Sequence, residues 1–196
     1  MKRLLIAVLL LASFLGEACG QDVVFVGGWK TTAYETKEFG IAVGANITIP
    51  LPDSTFRLLL VGYSADHVYE QLKARGLDKQ HPVIIAYSWG GMAVRRMLAD
   101  HPEVKPDRLI LVGSPVRGWM GCPIFNIDDR DDIPTYVIAG ADDKTVTAEN
   151  ALSLPSYLVK DKMVVNGVGH VEYFANANVS AKIREWANAP TFLSAR

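Results

Sequence analysis

The sequence predicts an α/β fold, a mostly parallel sheet with helices on both faces, and three observations predict it. The strand candidates are short, wholly apolar and rich in β-branched residues, as at Val23–Val26, Val83–Ala86 and Leu109–Val112. A strand that is apolar on both sides is covered on both faces. Helical patterns alternate with these strands instead of following them in a block, which separates a parallel α/β sheet from an α+β arrangement. Finally, 196 residues of which 49% are hydrophobic suit one domain with a sizeable core.

At the N-terminus, Lys2 and Arg3 precede an apolar run from Leu4 to Leu15, and Gly16 to Gly20 supplies the small residues of a signal-peptidase site. Residues 1–20 are therefore expected to be a signal peptide and 21–196 a single domain, secreted or periplasmic. An apolar run of about a dozen residues is short of the roughly 20 a bilayer requires, so no stable membrane span is expected after cleavage. Cys19 raises lipid anchoring as an alternative, against which Gly16 and Glu17 stand where a lipidation signal carries leucine and a small residue. The other cysteine, Cys122, reads as a lone packed thiol.

Gln21 to Val26 reads as a buried strand closed by Gly27-Gly28. Thr31 or Thr32 can cap a short helix over 33–39, with Glu35 in its first turn. Asn46–Ile49 and Phe56–Val61 are two strand candidates separated by the breakers Pro50 to Ser54, and the pattern does not say which lies in the main sheet. Asp66 is a candidate N-cap for a helix reaching Arg75, with Gly76 as its stop. Beyond the strand at Val83–Ala86, a helix over 91–100 buries Val94, Met97 and Leu98 and turns Arg95 and Arg96 outward. Leu109–Val112, Thr135–Ala139 and Lys162–Val165 complete the strands, and an amphipathic helix over 181–189 closes the chain.

The stretch around which the chemistry gathers is Pro82 to Met92, PVIIAYSWGGM. An apolar strand runs into a serine, and a helical pattern starts at once. A serine at so sharp a turn takes a strained backbone, and the residues two before and two after it must be small. Ala86 and Gly90 meet that demand. Ser64, in GYSAD, does not, because Asp66 stands where a small residue is needed, so Ser64 reads as a turn or capping residue.

Serine is a weak nucleophile unless a base takes its proton and an acid orients that base. Thr135–Ala139 leads into GADDKTV, which places Asp142 and Asp143 at a strand end, and the last strand leads into NGVGH, which places His170 in a glycine-rich loop. In an open parallel sheet such strand ends share one edge, where ligands bind. His67, His81 and His101 read as surface or loop residues.

In these motifs the chain resembles the α/β-hydrolase superfamily over nearly all of the segment from Val23 to Trp186. The elbow AYSWGG, the G-x-x-D-x-x-V string at Gly140–Val146 and the G-x-G-H string at Gly167–His170 match that family's landmarks in order. The resemblance implies Ser88 as nucleophile, His170 as base and Asp143 as acid, with Asp142 its rival. It implies an oxyanion hole made by the backbone NH of Trp89, which geometry also suggests, and of Trp29. Two departures stand out: Gly27-Gly28-Trp29 replaces the usual His-Gly of the first loop, and the family's two leading strands have no counterpart before Val23, an N-terminal truncation. Between the fourth strand and the acid strand only 113–133 is available, so no cap domain is expected, and Gly118–Phe125 would form the rim of an open site.

Trp119, Met120 and Tyr173 are candidate substrate-binding residues; Trp29, Trp89 and Met92 could line the same pocket or pack in the core. The implied reaction is cleavage of a small or polymer-attached carboxylic ester. Thioesterase, lactonase and acyltransferase chemistry would use the same triad, and a reading of a different class is an inactive hydrolase fold serving as a binding module. No cofactor or metal is implied. Asp128, Asp129, Asp131 and Asp132 could hold calcium but read as a solvated acidic run. A net charge of -1 gives no reason to expect nucleic acid as a partner.

Overall fold

The computed structural model describes residues 21–52, 61–117 and 127–190. The expected signal peptide, Cys19, the strand candidate at 56–60, Cys122 and the rim at 118–125 with Trp119 and Met120 lie outside them. In chain order the elements are β1 (Val23–Val26), α1 (Ala33–Ala42), β2 (Ile47–Ile49), α2 (Val61–Lys73), β3 (Val83–Tyr87), α3 (Trp89–Asp100), β4 (Arg108–Val112), β5 (Thr135–Gly140), α4 (Ala148–Ala151), β6 (Val159–Val165) and α5 (Ala177–Ala187). Single 3₁₀ turns stand at Leu77–Lys79 and Tyr173–Ala175.

The strands form one six-stranded sheet in the order β2-β1-β3-β4-β5-β6. Every pair is parallel, with Val24 beside both Ile47 and Ile84, Ile84 beside Leu109, and Ile110 beside Tyr136. Alternate side chains feed two cores. Val24, Val26, Ile84, Ala86, Leu109 and Leu111 pack with Val68 and Leu72 of α2 and Met97 of α3. Phe25, Ile85, Tyr87, Ile110 and Ile138 pack on the other face with Val179, Ile183 and Trp186 of α5. Both faces are thus buried, as wholly apolar parallel strands require. The edge strand β6 differs, exposing Lys160, Asp161 and Lys162, and charges on an edge discourage further strand pairing.

The cap of α1 forms as expected. Glu35 N–H donates to Thr32 Oγ1 at 3.1 Å while Thr32 N–H donates to Glu35 Oε2 at 2.9 Å, a reciprocal capping box. Four expectations are corrected. Val61 is helical, in α2, instead of ending a strand, and Asp66 lies inside that helix instead of capping it. Ser64 is neither turn nor cap: it is a buried residue of α2 whose Oγ accepts from Trp89 Nε1 at 3.3 Å. Arg95 does not face outward; it is 5% exposed and forms a two-pronged pair with Asp129, Nε to Oδ1 and Nη2 to Oδ2, each at 2.7 Å. Asp129 is thereby drawn out of the solvated acidic run, and Asp132 pairs with Arg130.

A second buried arginine is the first residue of β4. Arg108 donates through Nε to Asp107 Oδ2 at 2.8 Å and through Nη1 to the Trp186 carbonyl at 2.7 Å. It fastens the end of α5 beneath β4. Among the described residues no helix is long and apolar enough to cross a membrane.

Candidate active site

β3 delivers Ser88 at its carboxyl end, and α3 begins one residue later. Ser88 adopts φ 51° and ψ −126°, a left-handed φ that a residue with a Cβ avoids unless its surroundings impose it. Those surroundings are visible. The Ser88 N–H donates to the Val112 carbonyl at 2.9 Å, and Gly91 N–H donates to the Ser88 carbonyl at 3.0 Å. A Cβ added to Gly90 would stand 2.4 Å from the Gly27 carbonyl oxygen and 2.9 Å from that of Val26, so the elbow and the β1 loop touch main chain to main chain.

Three strand ends then converge. The loop after β6 brings His170 Nε2 to 2.8 Å from Ser88 Oγ, and the turn after β5 brings Asp143 Oδ2 to 2.8 Å from His170 Nδ1. Asp143 is buried, whereas His170 keeps 16% of its side chain exposed. A carboxylate can only accept, so Nδ1 carries the imidazole proton and Nε2 offers its lone pair to the Ser88 hydroxyl. That arrangement can take a proton from serine and hold the positive charge that results.

Asp143 is fully engaged. Its Oδ1 accepts from Thr145 N–H at 2.9 Å and Val146 N–H at 2.8 Å, and its Oδ2 accepts from His170 and, at 3.0 Å, from the Tyr173 hydroxyl. Burial opposes the charge on this carboxyl. The hydrogen bonds from His170, Val146 and Tyr173, with the attraction of His170, outweigh burial and hold its pKa below the ordinary aspartate value. Asp142 is turned elsewhere, accepting from Gly167 N–H at 2.8 Å and so steadying the loop that carries His170. Of the two neighbours, Asp143 is the one that meets the imidazole.

No family model matches the sequence, and no curated protein matches it. Solved structures do. The predicted CIB-like hydrolase of Thermoplasma acidophilum superposes with a TM-score of 0.64 at 18% identity, covering 88% of either chain. The esterase RhEst1 of Rhodococcus sp. ECU1013 gives 0.64 at 16%, over 89% of this chain and 92% of its own. A Xanthomonas campestris protein described as a hydrolase of the alpha/beta superfamily gives 0.63 at 17%, over 87% and 99%. The chain has the α/β-hydrolase fold.

Within this α/β-hydrolase fold the first loop departs from the common His-Gly form, and the structure places what stands there instead. Gly28 lies against the sharp turn at Ser88: an added Cβ would be 3.0 Å from Ser88 Cβ and 3.0 Å from the Tyr87 ring. Trp29 and Lys30 follow in a turn closed by Thr31 N–H to the Gly28 carbonyl at 3.4 Å. Trp29 thus follows the residue that touches Ser88, and Trp89 follows Ser88 directly as the first residue of α3. Beyond the turn opens a groove of about 440 Å³ whose walls include Lys30, Thr32, Leu51, His67 and Gln71.

Tyr173 is not a substrate-binding residue. It is fully buried, and its hydroxyl bridges Asp143 and Gly140 N–H, the latter at 2.7 Å, so no substrate can reach it. Trp89 and Met92 likewise belong to the core. Tyr87 was not singled out by sequence reasoning, yet its hydroxyl donates to the His170 carbonyl at 2.6 Å, and its ring lies 5.3 Å from the imidazole. In sequence Tyr87 is one more apolar residue at a strand end and Tyr173 a pocket candidate after the histidine, and nothing in their spacing announces the contacts they make.

Proposed function

We propose that the protein is a serine hydrolase that cleaves a carboxylic ester through an acyl-enzyme on Ser88. The observation that carries this reading is the unbroken relay Ser88 Oγ, His170 Nε2, His170 Nδ1, Asp143 Oδ2, with 2.8 Å at both contacts, mounted on a strained serine. Its hydrolase neighbours support the same class of chemistry.

The reaction follows from the proton positions. Ser88 Oγ attacks the ester carbonyl as its proton passes to His170 Nε2, and Asp143 stabilises the imidazolium without taking the proton. The tetrahedral oxyanion is received by the backbone NH groups of Trp89 and Trp29, where α3 begins and its dipole favours negative charge. The C–O bond to the leaving alcohol breaks as His170 returns the proton to that oxygen. Water, deprotonated by the same nitrogen, then attacks the acyl-serine and releases the acid. The enzyme is restored with no electron transfer.

A fluorophosphonate probe tests this reading, because only an activated serine reacts with it quickly. The expected result is stoichiometric labelling of the Ser88 peptide, with Ser88→Ala reducing kcat on p-nitrophenyl acetate by at least about 10⁴-fold. An unlabelled wild-type protein with no esterase activity would leave the binding-module reading in its place.

We also infer export, on the strength of the residue pattern of 1–20 alone. Expression in a bacterial host should yield a periplasmic or secreted protein whose N-terminus begins near Gln21; a cytosolic chain that keeps Met1 would refute it.

A further inference from the structure

We propose that Tyr173 is a positioning residue of the relay, which sets the basicity of Asp143 and through it that of His170. The inference rests on the serine-hydrolase reading and extends it beyond the three side chains already named.

The phenol sits where two glycines make room for it. Gly113, at φ 51° just past β4, would place a Cβ 2.6 Å from the Tyr173 ring, and a Cβ on Gly140 would lie 3.2 Å from its hydroxyl oxygen. A phenylalanine would fill this seat as well, so packing alone does not ask for the oxygen. The oxygen is used twice: it accepts from Gly140 N–H at 2.7 Å and donates to Asp143 Oδ2 at 3.0 Å. The first bond strengthens the second, because a hydroxyl that accepts from one partner donates better to the next. Burial first, and then the charge of Asp143, push the phenol's pKa upward, so it remains a donor at any working pH.

The consequence lies in which oxygen is chosen. Oδ1 is occupied by the backbone of Thr145 and Val146, while Oδ2 is shared between the tyrosine and the imidazole. Donation from Tyr173 withdraws charge from the same oxygen that holds the His170 proton. It fixes the carboxylate plane and tempers the pull of Oδ2 on the Nδ1 proton, the contact that aims Nε2 at the Ser88 hydroxyl. Other groups around the relay are Tyr87 from β3, bonded to the His170 carbonyl, Asp142 on the Gly167 backbone, Glu172 next to Tyr173, and Glu35 at the start of α1. None of the hydrogen bonds between these groups and the relay reaches Oδ2.

The test is the pH profile of kcat/KM for p-nitrophenyl acetate, whose acid limb reports the free-enzyme base. Tyr173→Phe should raise that limb by about half a unit to one unit and lower the plateau by about three- to tenfold, the scale of one charge-assisted hydrogen bond felt in part. An ortho-fluorinated tyrosine incorporated at 173 keeps the packing and donates more strongly; it should move the limb the opposite way, and serves if the phenylalanine variant does not fold. A limb that stays in place in the folded variants, with activity falling only in step with Tm, overturns the proposal and leaves Tyr173 structural. A wild-type protein that neither turns over the ester nor reacts with fluorophosphonate overturns the serine-hydrolase reading instead.

Discussion

Replacing Gly90 by alanine should destabilise this protein severely, although it adds a single methyl group to a residue near the start of a helix. The new carbon would lie 2.4 Å from the Gly27 carbonyl oxygen, 0.6 Å inside the 3.0 Å limit below which real Cβ contacts do not occur, with the Val26 oxygen at 2.9 Å on the same side. No side chain can swing away to relieve it, because the obstacles are main chain at the end of β1. Overpacking a core costs about 1–3 kcal/mol when side chains can adjust, so the expected loss is at the upper end, about 3 kcal/mol. Gly62→Ala is the control. It is the same substitution in α2, at an ordinary φ with nothing within 4 Å, and alanine there should gain up to about 1 kcal/mol from helix propensity. Thermal unfolding followed by circular dichroism separates the two. For a chain of this size 1 kcal/mol moves Tm by about 2–4 °C, so Gly90→Ala should melt about 6–12 °C below wild type and Gly62→Ala slightly above it. Any Gly90→Ala protein that folds should also lose ester hydrolysis, because relieving the clash pushes the Gly27–Trp29 loop from the elbow. A Gly90→Ala protein that matches wild type in Tm and turnover would refute the argument that the elbow is seated against backbone.

Two further outcomes follow from the charged groups. Asp143→Asn should reduce kcat on p-nitrophenyl acetate by about 10³- to 10⁴-fold, since an amide at this place favours the wrong imidazole tautomer. The carboxyl's folded pKa is depressed, so its contribution to stability is present above the unfolded value of about 4 and is lost as pH falls through the folded one. Urea titrations from pH 6 down to pH 2 should therefore show wild type losing more stability than Asp143→Asn; parallel curves would contradict the assigned shift. Asp129→Ala strands the buried Arg95 guanidinium and should cost about 3 kcal/mol in urea unfolding, whereas Arg95→Met, which removes the charge with its partner still 19% exposed, should cost clearly less. Equal losses would mean the pair is held by packing and not by charge.

The parts of this fold that are legible in sequence are those dictated by local chemistry. Apolar β-branched runs mark β1, β3 and β4 because burial on both faces leaves no room for a polar residue. The Thr32–Glu35 box is readable because a cap and its reciprocal partner lie three residues apart. The convergence of Ser88, Asp143 and His170 on one sheet edge is readable because parallel strands all end on the same side. What escapes is contact between residues distant in the chain that no local pattern announces. Arg95 has the spacing of a solvent-facing helix residue, yet Asp129 reaches it across 34 positions and makes its burial tolerable. Asp66 resembles a helix cap, and the helix starts earlier because Val61 and Ala65 pack into the core beneath it. Tyr173 reads as a pocket-lining ring, and its hydroxyl is instead enclosed because the end of β5 and Asp143 lie around it in space.

Backbone strain gives the same lesson a sharper form. Among the described residues, the non-glycine positions with positive φ are Ser88 at 51° and Lys30 at 59°, and both belong to strand ends beside one site. Such positions cost on the order of 1–3 kcal/mol each unless the surroundings impose them. For Ser88 the imposition is written in its neighbours, Ala86 and Gly90, whose small size is the requirement of a sharp elbow. For Lys30 nothing nearby in sequence signals a left-handed residue, where glycine would be easiest. Its ammonium instead lies 4.6 Å above the Trp29 ring, so the side chain that raises the cost of the turn also braces it. A glycine at 30 would accept the same φ but would accept many others, leaving the Trp29 amide free to wander relative to Ser88. Donors aimed at a developing charge are effective because they need no reorganisation when the charge appears. A stiff, costly residue in this turn would serve the oxyanion site proposed above, which needs its donors held in place in advance.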